Sequence, residues 1–209
     1  MPIDLAGLVA PALTALVMNE CQQGVIGAES SLPELAKAAQ QGMIPKLGAL
    51  TAAARAAGAT VVHGIAMRRP DGKGANTNAR LFAYAARAPV QLTPGTKAVE
   101  VVPEIGVEEG DLVVPRLHGL SPWQGTELEP LLRNLGIRTV VAAGVSVNVA
   151  VTNLVFDAVN AGYQVVVPRD CVAATPPEYA EAVFAHTLGV VATLVESEDI
   201  VAVWKQPRA

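Results

Sequence analysis

Three places along the chain join chemically useful side chains to apolar runs. Glu20 closes the run Thr14–Asn19 and is followed by Cys21, Gln22, Gln23 and Gly24. A carboxylate at the end of a run bound for the core is costly unless it is paired or used. Arg116 follows the short run Asp111–Pro115 and precedes Leu117, His118 and Gly119. Gly144, Val145, Ser146, Val147 and Asn148 follow the run Thr139–Ala143. An acid, a cation and a turn rich in backbone N–H groups are parts suited to acid/base work on a small anion.

The runs themselves say what holds these parts. Thr14–Asn19, Thr60–Ile65, Thr139–Ala143 and Gln164–Pro168 are Val-rich and apolar on both faces. Such runs read as strands buried on both sides. Asp111–Pro115 is a fifth, and Val190–Val195 a last one. Helical periods lie between them, over Pro45–Ala57, Thr126–Asn134, Val151–Asn160 and Pro177–Leu188. Gly58 and Gly136 stand where the first two should stop. Alternation of this kind predicts one three-layer α/β/α domain over residues 1–209, built on a mostly parallel, Rossmann-like sheet. Ligands of open parallel sheets bind beyond the carboxyl ends of the strands, where all three places fall. The polar, Gly-rich stretch Arg68–Ala79 is either the border of that site or a plain solvated loop.

Composition narrows the function classes. The 209 residues are 51% hydrophobic and 16% charged, which excludes intrinsic disorder. The net charge is -4 and no Lys/Arg block stands out, so neither nucleic acid nor an anionic membrane surface is an expected partner. No charge interrupts the chain between Arg138 and Asp157, but Ser146, Asn148, Thr152 and Asn153 there favour a strand, turn and helix over a membrane span. The N-terminus lacks a basic leader, and the two cysteines read as reduced thiols, so a cytoplasmic location is expected. Three scattered histidines show no ligand spacing, and no metal or cofactor is expected. His63, inside an apolar run, reads as a core residue. Cys21 should face the packing layer if Glu20 faces a pocket.

Four segments together resemble the isochorismatase-like, or cysteine hydrolase, family. They are the first strand with Glu20-Cys21-Gln22, Pro94–Arg116, Gly125–Val151 and Asp157–Ala173. The resemblance places the family's acid, usually Asp, at Glu20 and its cation, usually Lys, at Arg116. It places the family's nucleophilic Cys at Ala150, which has no nucleophile, so no thioester forms there. It also implies a cis peptide bond at Val145–Ser146 and a homo-oligomer, dimer or tetramer. The Asp and paired His of the metal-binding nicotinamidases do not show in Gly64–Asn78.

Some members that cleave the vinyl ether isochorismate also lack the Cys. The expected activity is therefore hydrolysis of a small carboxylated molecule without a covalent intermediate. Glu20 is the candidate acid/base and Arg116 a two-pronged anchor for a substrate carboxylate. Burial would raise the Glu20 pKa, and Arg116 beside it would lower it. Gln22, His118, Trp123, Val145, Ser146 and Asn148 are candidate substrate-binding residues. A fold that kept a binding site and lost its chemistry is the alternative, and a hydrolase using Cys21 is the third reading.

Overall fold

In the computed structural model, which describes residues 3–206, strand alternation sorts the core into two layers. Strands β1 (Thr14–Asn19), β2 (Thr60–Ala66), β3 (Leu112–Arg116), β4 (Thr139–Val145), β5 (Gln164–Pro168), β6 (Val172–Ala173) and β7 (Thr193–Val195) form a parallel sheet. The order is β3-β2-β1-β4-β5-β7, and β6 pairs with the end of β4. Leu16 and Met18 of β1, with Val141 and Ala143 of β4, face one layer; Ala15, Val17, Val140 and Ala142 face the other. Every residue of β1 and β4 is buried, as strands covered on both faces must be.

The helices are α1 (Leu5–Leu8), α2 (Gln23–Ile26), α3 (Pro33–Ala38), α4 (Ile44–Ala57), α5 (Arg80–Ala85), α6 (Leu128–Asn134), α7 (Thr152–Asn160), α8 (Tyr179–Val183), α9 (Gly189–Val191) and α10 (Ser197–Trp204). Helices α4 and α10 cover the first face through Leu47, Leu50, Ile200 and Trp204. Helices α6 and α7 cover the second through Leu128, Leu132, Leu154 and Val155. None of the described helices is long and apolar enough to cross a membrane.

The differences from the sequence reading have local causes. The helix expected from Val151 begins at Val147 as a wide five-residue turn, closed by the Val151 N–H donating to the Ser146 carbonyl at 3.0 Å. Its Val-Asn-Val-Ala-Val pattern alternates and so hides the helical period. Helix α6 starts at Leu128 rather than Thr126, because Thr126 Oγ1 accepts from the Leu128 N–H and acts as a cap. The expected helix Pro177–Leu188 divides into α8 and a wide turn over Phe184–Leu188. The last strand is shortened, since Gly189–Val191 is helical.

Two glycines let the strand ends converge. A Cβ at Gly144, whose φ is 94°, would stand 2.2 Å from the Asn19 carbonyl oxygen. A Cβ at Gly64 would stand 2.9 Å from Pro122. The ends of β1, β2 and β4 therefore meet without side chains between them.

Strand β3 lies at the sheet edge and is anchored at its start. Arg55 of α4 donates to Asp111 through Nη2 at 2.6 Å and Nε at 3.2 Å. His63 Nε2 lies 2.9 Å from the same carboxylate, which also accepts from the Glu108 N–H at 2.9 Å. At the other end, the Arg116 carbonyl accepts from the Met67 N–H, so it points toward β2. Alternation then turns the Pro115 nitrogen outward, where its missing N–H costs no ladder bond.

Burial pushes the Asp111 carboxyl up, but Arg55, the Glu108 N–H and His63 outweigh it and hold it below the ordinary value. Burial holds His63 below its ordinary value against the pull of Asp111. Both folded-state values are depressed, so the unfolded chain takes up protons first as pH falls. Stability is expected to be full above the ordinary imidazole range and to fall as the solution is acidified. Asp111→Asn should cost on the order of 3 kcal/mol, read as a lower urea midpoint at unchanged slope.

Candidate active site

The end of β1 sets the geometry. Glu20 adopts φ 52°, a left-handed conformation, and its N–H donates to the Gly64 carbonyl at 2.9 Å. Its carboxylate forms an ion pair with Arg116 Nη2. Arg116 is only 8% exposed, and burial pushes its guanidinium down to about 10, still cationic at neutral pH. Nη1 donates to the Gly119 carbonyl at 2.6 Å and the His118 carbonyl at 3.3 Å. Nη2 also reaches the Leu120 carbonyl at 3.5 Å. Nε is buried and has no partner among the described residues.

Arg116 is not free for the expected two-pronged grip on a substrate carboxylate. A two-pronged grip on a substrate carboxylate needs two free donors on one edge of the fork. Its Nη donors are already committed, so Arg116 holds Glu20 and the 117–120 turn.

Beyond the pair lies a cavity of about 200 Å³. Glu20, Arg116, His118, Ser146 and Ala150 line it together. The Val145–Ser146 peptide bond is cis. Arg68, Ala75 and Asn76 also line the cavity, so the Arg68–Ala79 loop does border it. Asn76 Oδ1 accepts from the Gly119 N–H at 2.8 Å and ties that loop to the turn held by Arg116. Phe82 and Tyr84 of α5 supply part of the rim. Sequence reading missed Arg68, Asn76 and Tyr84 as individual residues; the polar loop was their only signal.

Four expected binding residues lie elsewhere. Gln22 is fully buried, and its amide is spent on backbone: Oε1 accepts from the Ala66 N–H at 2.8 Å, and Nε2 donates to the Ala66 carbonyl at 2.9 Å. It fastens β1 to β2 rather than facing the cavity. Trp123 packs edge-on against Tyr163 at 5.4 Å in the α6/α7 layer. Val145 is buried in the α4/α10 layer. Asn148 does not line the cavity, and its Oδ1 is buried without a partner among the described residues.

The thiols are inert by position. Cys21 and Cys171 are buried in the α4/α10 core layer, away from the cavity. Burial pushes the Cys21 thiol up to about 12 and raises Cys171 as well. No cluster of three His, Cys, Asp or Glu side chains among the described residues is placed to hold a metal ion.

Solved structures share this parallel α/β/α fold. A cysteine hydrolase from Pseudomonas syringae pv. phaseolicola superposes with a TM-score of 0.80 at 19% identity, covering 95% of both chains. An isochorismatase family protein from Desulfovibrio vulgaris gives 0.78 at 24% identity, covering 93% of this chain and 99% of that one. Residues 14–199 match the isochorismatase domain, and the chain belongs to the isochorismatase family.

Among curated relatives, the uncharacterized isochorismatase family protein YwoC of Bacillus subtilis is 36% identical over 83 residues, 40% of this chain and 43% of YwoC. The match thus spans less than half of that relative. The secreted isochorismatase effector Isc1 of Verticillium dahliae is 28% identical over 75% of this chain and 76% of its own.

Two alkylation experiments follow. The native protein should take up no iodoacetamide at mildly alkaline pH, whereas the urea-unfolded chain should take up label on both cysteines. Ala150→Cys should add one rapidly labelled thiol to the native protein, read by intact mass.

Proposed function

We propose that the protein is a hydrolase of a small carboxylated molecule, acting by acid/base chemistry without a covalent intermediate. The observation that carries this reading is the Glu20 carboxylate, held by Arg116, in a cavity also lined by Ala150, which offers no nucleophile. Neither buried thiol is placed to substitute for one.

A vinyl ether is the substrate type that suits these parts. Its carbon takes a proton, water adds to the resulting oxocarbenium ion, and the hemiketal collapses to pyruvate and an alcohol. Each step moves protons, and Glu20 is the titratable carboxylate at the cavity. Arg116 holds the Glu20 carboxylate at the cavity, where it can exchange a proton with the substrate carbon.

Ala150 also favours a second reading, a small-molecule-binding protein without turnover. Product analysis by mass spectrometry separates the two. Incubation with a 2-alkoxyacrylate, the enolpyruvyl ether of a simple alcohol, should release pyruvate, and Glu20→Gln should slow that release by about 10²–10⁴-fold. Ligand binding with no product from any vinyl ether or amide tested would establish the second reading instead.

A further inference from the structure

Most polar side chains around the cavity are already satisfied by the protein. Ser31 Oγ donates to the Val90 carbonyl at 2.8 Å. Tyr84 donates its hydroxyl proton to the Ser31 carbonyl. Asn76 is engaged through both ends of its amide, by the Gly119 N–H and by Asn78. Gln91 Nε2 donates to the Ala85 and Ala88 carbonyls. The Nη groups of Arg116 are spent on Glu20 and the 118–120 carbonyls. Besides the buried Arg116 Nε, the polar lining side chains without a protein partner among the described residues are those of Arg68, His118 and Ser146, which are free to meet a ligand.

Arg68 is the cation left over. It lines the cavity just beyond the end of β2. Its backbone N–H donates to the Leu92 carbonyl at 2.8 Å, which fixes its place at the wall. Its guanidinium makes no hydrogen bond or ion pair among the described residues. The side chain lies against Gly72, where an added Cβ would stand 2.7 Å from Nη2. The Glu20–Arg116 pair is neutral as a unit, so Arg68 leaves the cavity with one unmatched positive charge. The rest of the wall is largely apolar, with Leu32, Leu35, Phe82, Leu92, Leu120 and Val149.

We infer that Arg68 is the anion-binding residue of this cavity, and that the substrate is a monocarboxylate with an apolar body. The inference rests on the proposed function for the location of the substrate, and it narrows its class. A 2-alkoxyacrylate, the enolpyruvyl ether of an apolar alcohol, carries one carboxylate for Arg68 and a vinyl ether for Glu20. Arg68 has the planar fork that grips a carboxylate at two oxygens.

The test uses a saturated ether, 2-(benzyloxy)propanoate, which has no double bond to protonate and is not consumed. Its binding is compared by calorimetry with that of its uncharged methyl ester. The wild-type protein should bind the acid about tenfold more tightly than the ester. Arg68→Met should weaken the acid by about tenfold and leave the ester within about twofold, at an unchanged melting temperature. Arg68→Lys should recover part of the preference. Equal binding of the acid by wild type and Arg68→Met overturns the assignment, as does a wild type that binds neither compound or shows no preference for the acid. Because this readout involves no turnover, it fails independently of the hydrolase reading, which stands or falls on product release and its dependence on Glu20.

Discussion

A guanidinium taken out of water needs partners for its donors, and those that the Nη groups of Arg116 find organise the site. Breaking a buried ion pair by removing one partner leaves an uncompensated charge, a loss of about 3–5 kcal/mol. The pair with Glu20 joins the end of β1, at the centre of the sheet, to the end of β3, at its edge. The remaining Nη donors pull the 118–120 carbonyls inward, so the turn wraps the cation. Asn76 then binds the outside of that turn and draws the polar loop over the cavity. One charge thus positions a strand end, a turn and a loop.

How much of this could be read from the residues depends on the range of the interaction. The strands were legible because β1, β2, β4 and β5 are buried on both faces and their Val-rich runs have no other use. Glu20 and Arg116 were legible because charges at the ends of such runs stand out. Short helices such as α2, α3 and α5 were not, since a few residues carry too little period to register. Nor was the two-residue β6, whose pairing depends on where β4 ends.

The misplaced site residues share a cause. Gln22 and Trp123 sit beside the pocket-forming residues in sequence, and proximity along the chain suggested proximity to the ligand. Gln22 instead meets Ala66, forty-four residues away, and such a contact is invisible without the fold. Arg116 lines the cavity, but the carbonyls that take up its Nη donors belong to a turn with no sequence signature. Arg68 shows the converse. It was one letter in a polar loop, and its meaning came only from what the other groups had already used.

Pro115 has a consequence beyond tolerating its own missing donor. Strand β3 borders solvent, and an exposed parallel edge is a template on which another chain can nucleate. An incoming strand would find no N–H at Pro115, one residue before the buried arginine. Growth of a shared sheet is therefore interrupted beside the Glu20–Arg116 pair. The edge that carries the cation is guarded against self-association by the residue next to it.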